Sequence, residues 1–144
     1  MECHMPSPLS AEEKTKISEI LKSAKIIAIV GLSPETTKDS NMVGRYLQDA
    51  GYKIVPIYPK EETILGEKVY RSLSEIPFEV DIVDVFRKGD ALPAITAEAL
   101  KLKNLKCIWG QIGCESDEAK AMADEAGVFF VQGHCIKIEH ARLV

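Results

Sequence analysis

The chain has 144 residues, 46% hydrophobic and 28% charged, with a formal net charge of −4; it is long enough to bury a core without disulfide or metal staples, and one domain over residues 1–144 is expected. The acidic balance and the lack of any Lys/Arg run argue against nucleic acid as a partner. No stretch approaches the roughly 18 consecutive apolar residues of a membrane-spanning helix, and the start, MECHMPSPLSAEE, lacks the basic segment and apolar run of a secretory signal, so a cytoplasmic location is expected.

LSAEEKTKISEILKSAK begins with Ser10 and has Glu13 three residues on, a capping box. Leu9, Ile17, Ile20 and Leu21 recur at helical spacing, which predicts a helix over 10–24 ahead of the first strand. Ile26–Val30 is a short apolar run without alternation, as in a strand buried on both faces of a parallel sheet. A helix from Ser40 to Ala50 stops at Gly51, and YKIVPIYP is the second strand, closed by Pro59. TILGEKVY reads as a small excursion around a turn at Gly66, EVDIVDVF as the third strand and DALPAITAEALKLKN as the helix after it. LKCIWGQIG is the fourth strand with its exit loop, and ESDEAKAMADEAG is a helix with an acidic first turn and Gly127 after its end. VFFVQG is the fifth strand and CIKIEHARLV a short closing helix or tail. Alternating strands and helices with short connections predict a single three-layer α/β domain of Rossmann type, with a mainly parallel sheet of about five strands.

In such a sheet a ligand sits outside the carboxyl ends of the strands, where strand order reverses. The loop from Gly31 to Asp39 lies there and runs into a helix N-terminus, an anion site by virtue of its free N–H groups and dipole. Ser33, Thr36, Thr37 and Ser40 add hydroxyls and Lys38 a charge, an inventory that suits a phosphate. The loop reads equally as a plain capped turn, with Asp39 or Ser40 as N-cap and the hydroxyls in water. The G-x-G-x-x-G of an NAD site is missing, since Gly31 is followed by no glycine before Gly44. Where an NAD protein places an acid for the ribose, after the second strand, this chain has Lys60. A cation there suits a phosphorylated ribose, as in NADP or coenzyme A. Pro56 and Pro59 offer a flat wall for an adenine, although Glu61 and Glu62 follow directly. Phe86, Arg87 and Lys88 leave the third strand, and Gln111, Gly113 and Cys114 the fourth, at the same edge. The charges read either as phosphate contacts or as solvated surface, and Gln111 either as a partner for a ligand amide or as a local backbone contact.

IAIVGLSP, GYKIVPIYP, ILGEKVYRSLSEIP, VDIVDVFR, IWGQIG and CIKIEH together, in this order from about Lys25 to Leu143, resemble the small stand-alone CoA-binding proteins. These are related to the N-terminal CoA-binding domain of the succinyl-CoA synthetase alpha subunit. The resemblance implies a Rossmann-like fold that binds coenzyme A across the strand ends. Gly31, Leu32, Ser33 and Ser40 would lie against the phosphates, Pro56, Pro59 and Lys60 beside the adenosine, with Tyr58 between the prolines. Val85, Phe86 and Arg87 would line the next part of the cleft, and Gln111 and Gly113 would sit towards the pantetheine. The chain departs from the family's pattern at Lys38-Asp39, where Arg-Pro is frequent, and at Tyr58, where Asn is commoner. It departs again at Gly110, where a large apolar residue is commoner, and at Gly133-His134, where Asp-Arg is often found. These positions bear on affinity and ligand rather than on fold.

The ligase reaction of succinyl-CoA synthetases runs through a phosphohistidine on a further domain, and the histidines here, His4, His134 and His140, have no such context. A non-catalytic binder of coenzyme A or an acyl-CoA is therefore expected. The alternatives are an NAD(P)-binding redox-responsive regulator, an interaction module with a vestigial nucleotide cleft, or an acyl-CoA enzyme whose catalytic group cannot be named. Cys3, Cys107, Cys114 and Cys135 read as free thiols, because the spacing offers neither C-x-x-C nor H-x-x-x-H and no metal site. Cys107 and Trp109 read as core, and Cys135 as packed beneath the tail. With coenzyme A seated as the resemblance implies, its thiol would come close to Cys114, where a mixed disulfide becomes an option. A homodimer is the default assembly.

Overall fold

The computed structural model describes residues 8–113 and 115–144. Cys3, His4 and Cys114 lie outside the described residues, and the proposed thiol contact of Cys114 with them. The chain runs through α1 (Ala11–Ser23), β1 (Ile26–Val30), α2 (Asp39–Asp49), β2 (Lys53–Ile57) and a hairpin of β3 (Thr63–Ile64) and β4 (Glu67–Lys68). It continues through β5 (Ile82–Val85), α3 (Leu92–Ala99), β6 (Cys107–Gly110), α4 (Asp117–Ala126), β7 (Phe129–Gln132) and α5 (Ile136–Leu143). The capping box forms as read: the Glu13 N–H donates to Ser10 Oγ at 3.1 Å and the Ser10 N–H to Glu13 Oε1 at 3.0 Å. The closing segment is a helix, and the predicted helix over 90–104 divides into a 3-10 turn at Gly89–Ala91 followed by α3.

The five main strands are parallel, in the order β2-β1-β5-β6-β7. This is the Rossmann-like α/β fold expected. The chain leaves β1 towards β2 and returns to place β5 on the other side of β1, so the order reverses between β1 and β5. Side chains alternate between two cores, as strand geometry requires. Ile27, Ile29, Ile54, Ile82, Trp109 and Val131 pack under α1, α2 and α5 through Ile17, Leu21, Val43, Leu47 and Ile136. Ala28, Val55, Val83, Val85, Ile108 and Phe130 pack under α3 and α4 through Leu92, Ala99, Ala119 and Ala123. Cys107 and Trp109 are core residues, as the sequence reading has them.

Two aspartates, one just before β5 and one within it, have different surroundings. Asp81, just before the strand, accepts the Lys25 N–H at 2.8 Å and the Ile26 N–H at 3.0 Å, which fixes β1 beside β5. Asp84 lies in register between Ile29 and Trp109, is fully buried, and has no hydrogen-bond partner on either carboxyl oxygen among the described residues.

Candidate functional site

The parallel ladder continues one residue beyond each strand. Gly31 N–H donates to the Ile57 carbonyl at 2.9 Å, Phe86 N–H to Val30 at 2.9 Å, Gln111 N–H to Val85 at 3.2 Å and Gly133 N–H to Gly110 at 3.0 Å. Four exits therefore stand in one row at the carboxyl edge, with Gly31 and Phe86 flanking the reversal point. Gly31 has φ +86, a conformation that glycine alone adopts freely. It turns the chain away from β1 into the loop that feeds α2.

That loop is held by the helix it enters. The Ser33 N–H donates to Ser40 Oγ at 3.0 Å, Asn41 Nδ2 to the Ser33 carbonyl at 2.9 Å and Arg45 to the Thr36 carbonyl at 2.8 Å. Ser40 and Asn41 are buried, whereas Thr36, Thr37 and Lys38 are exposed. Lys38 occupies the N-cap position and its side chain makes no capping bond; its ammonium lies 3.9 Å from Glu35. Neither Asp39 nor Ser40 is the N-cap. The first-turn N–H groups of α2 have no intrahelical acceptor, and no side chain at the N-cap position takes one, so they present positive partial charge to the cleft.

Two cavities open along this edge, one beside Gly31 at the start of the loop and one beside the first residues of α2. The first, about 360 Å³, is lined by Gly31, Tyr58, Pro59, Arg71, Arg87 and the α3 side chains Ala94, Ile95 and Glu98. Its outer rim is pinned by Arg71, whose guanidinium donates to the carbonyls of Tyr58 at 3.1 Å and Lys60 at 2.7 Å. Its floor is the 3-10 turn Leu73–Glu75, whose N–H groups at Leu73 and Ser74 donate to the Glu98 carboxylate. The second cavity, about 330 Å³, is lined by Asp39, Met42, Val43, Phe86, Gln111, Ile112, Cys135, Lys137 and Ile138. Gln111 Oε1 accepts the Ile136 N–H at 3.0 Å and so ties the β6 exit to the start of α5.

The residues singled out in the sequence divide accordingly. Gly31, Tyr58, Pro59 and Arg87 line the first cavity, and Phe86 and Gln111 the second. Ser33 and Ser40 shape the loop between them. Leu32, Pro56 and Val85 are buried beneath the edge and contribute packing rather than a ligand surface. Lys60 is exposed and meets the site through its backbone carbonyl, while Gly113 is half-buried beyond the β6 exit. Arg71, Glu98, Met42 and Lys137 were not singled out, and Cys135, read as packed beneath the tail, packs partly against the core and also lines the second cavity. Arg71 had a signal, since it lies inside the block ILGEKVYRSLSEIP, but only the parallel bridge between Ile57 and Tyr70 brings it beside the end of β2.

A glycine-turned loop at the reversal point of a five-stranded parallel sheet, feeding a helix whose N-cap side chain makes no capping bond, defines a Rossmann-like α/β protein. The chain belongs to the CoA binding domain family, whose family model matches residues 25–141. It is 41% identical over 128 residues to YneT, an uncharacterized protein of Bacillus subtilis strain 168, a match that covers 89% of this chain and 94% of YneT. It is 30% identical over 129 residues to the alpha subunit of the ADP-forming acetate–CoA ligase II of Pyrococcus furiosus, covering 81% of this chain and 28% of that subunit. A hypothetical protein from Pyrococcus horikoshii OT3 superposes with a TM-score of 0.88 at 38% identity, over 97% of this chain and 98% of the other. The resemblance read in the six sequence blocks is thus a family relationship. Among the described residues no helix is long and apolar enough to cross a membrane.

Proposed function

We propose that this protein binds coenzyme A or an acyl-CoA at the carboxyl edge of its sheet and does no chemistry on it. The observation that carries the reading is the placing of two cavities along the carboxyl edge, one at Gly31 where the loop leaves β1 and one at the first residues of α2, whose N-cap side chain makes no capping bond. Coenzyme A has the same three-part plan: a phosphorylated adenosine, a pyrophosphate and a pantetheine arm. The adenosine belongs in the first cavity, where Tyr58 and Pro59 give flat surface and Arg71 and Arg87 give positive charge. The pyrophosphate belongs at the start of α2. The pantetheine arm crosses Phe86 towards Gln111 and the second cavity. The family match and the 30% identity to a CoA ligase subunit support the ligand class.

The non-catalytic part of the reading rests on what the cavities contain. Among the described residues neither is lined by a histidine, and His140 is engaged elsewhere, its Nδ1 2.9 Å from the Tyr46 hydroxyl. The test is a calorimetric titration of the reduced protein with CoA, dephospho-CoA, NAD and NADP. Micromolar binding of CoA, on the order of −8 kcal/mol, and weaker binding of dephospho-CoA are expected. Binding of NAD or NADP in preference to CoA would overturn the reading in favour of a nicotinamide-dependent regulator.

A further inference from the structure

Four large hydrophobic side chains stand exposed among the described residues, Met42, Ile112, Ile138 and Val144, and the first three line the same cavity. Single exposed apolar residues need no explanation, but a group converging on one hollow marks a binding surface. Ile112 is 66% exposed at the β6 exit, directly after Gln111, and is the most exposed of the four. Phe86 and Val43 continue the apolar wall inwards. The polar groups of the cavity are unequal: Lys137 holds its ammonium over the Tyr46 ring, 5.6 Å from the centroid, and Asp39 brings a carboxylate to the rim. A hydrocarbon chain fits such a wall, with Asp39 and Lys137 bringing opposite charges to its rim.

We propose that the second cavity holds the acyl group of a neutral straight-chain acyl-CoA, so that the protein distinguishes acylated from free coenzyme by the surface of Met42, Ile112 and Ile138. This inference rests on the CoA reading above, because it is the pantetheine arm that delivers the acyl group past Phe86 and Gln111. Free coenzyme ends in a thiol and leaves these three side chains uncovered. An acyl group removes them from water together with its own methylenes.

The experiment is a titration of the reduced full chain with CoA, acetyl-, butyryl-, hexanoyl- and succinyl-CoA. Affinity should rise about fourfold for each added methylene from acetyl to hexanoyl, and succinyl-CoA, whose chain ends in a charge that must be desolvated against Met42, Ile112 and Ile138, should bind more weakly than butyryl-CoA. In Ile112→Ser and Ile138→Ser the ratio of hexanoyl-CoA to CoA affinity should fall towards one. Equal affinity for CoA and every acyl derivative would overturn the acyl proposal and leave the CoA reading standing. The same flat series with a dimer that Ile112→Ser dissociates in sedimentation would overturn it in favour of self-association through this patch. No binding of any coenzyme form would remove both.

Discussion

A Cβ placed on Gly31 would stand 2.8 Å from the carbonyl oxygen of Phe86, so the loop after β1 and the exit of β5 approach as closely as two backbones can. The contact lies at the point of strand reversal, with Gly31 lining the first cavity and Phe86 the second. Gly31→Ala adds the cost of φ +86, about 1–2 kcal/mol for a residue with a Cβ, to the displacement of one backbone from the other. A loss of about 2 kcal/mol or more in urea unfolding is expected, together with at least a tenfold loss of CoA affinity. Gly66→Ala is the control: its φ is +77 but a Cβ there has nothing within 4 Å. It should cost only that backbone term, about 1–2 kcal/mol, and leave the affinity within twofold.

Arg71 and Lys60 compete for the role of reading a phosphorylated ribose. Lys60 is the residue that strand order nominates, yet its side chain is exposed, and what it supplies to the site is a carbonyl bound by Arg71. Arg71 lines the cavity and rigidifies its rim at the same time. Charge-assisted hydrogen bonds are worth about 1.5–3 kcal/mol, so Arg71→Ala should weaken CoA binding by at least tenfold and abolish the preference for CoA over dephospho-CoA. Lys60→Ala should keep that preference. Calorimetry on the two variants with both ligands decides; loss of the preference in Lys60→Ala alone would restore the lysine to the site.

Much of this was legible because the relevant signals are local. The apolar runs at Ile26–Val30 and Cys107–Gly110, the capping box at Ser10 and Glu13, and the glycine at the exit of β1 each declare an element from a few adjacent residues. What the sequence hid depends on long-range placement. Pro56 is adjacent to the site in sequence, but strand alternation turns it into the sheet, where it is buried in register with Ile29. The wall of the first cavity comes from α3 and from the segment that follows the β3–β4 hairpin, which no periodicity near the loop announces. The cluster of Met42, Ile112 and Ile138 joins α2, the β6 exit and α5, and only the folded chain makes it a surface.

The aspartates around β5 should give stability two opposing dependences on pH. Burial pushes the Asp84 carboxyl well above the usual carboxylate range, so the folded protein keeps a proton there that the unfolded chain releases near pH 4. The contribution is therefore most favourable below that pH and is lost at about 1.4 kcal/mol per pH unit as pH rises towards the folded value. Burial also pushes Asp81 upward, but the N–H groups of Lys25 and Ile26 and the Lys106 ammonium outweigh it and hold the carboxyl below its ordinary value. Its contribution is present above pH 4 and is lost as pH falls through the lower folded value. In urea titrations at pH 3, 5 and 7, Asp84→Asn should gain on the unmodified protein as pH rises. Asp81→Asn should be weaker by about 1 kcal/mol at pH 7, a figure reduced for partial exposure, and the deficit should narrow at pH 3. Parallel curves for Asp84→Asn and the unmodified chain would show that Asp84 does not carry the proton.

Cys107 and Cys135 should differ sharply as nucleophiles. Burial pushes the Cys107 thiol far above its usual range, and its side chain is enclosed beneath α1, α2 and α5. A thiol reacts as its thiolate and needs access, so Cys107 should remain unmodified until the protein unfolds. Cys135 is half-buried, precedes α5 and lines the second cavity beside Phe86 and Gln111. Iodoacetamide followed by peptide mass spectrometry should therefore modify Cys135 and spare Cys107. Coenzyme A laid across Phe86 covers the Cys135 sulfur, so saturating CoA should slow that modification at least fivefold, while dephospho-CoA at the same concentration protects less. Unchanged labelling of Cys135 at saturation would mean that the pantetheine arm does not reach the second cavity, and the path past Phe86 would have to be abandoned.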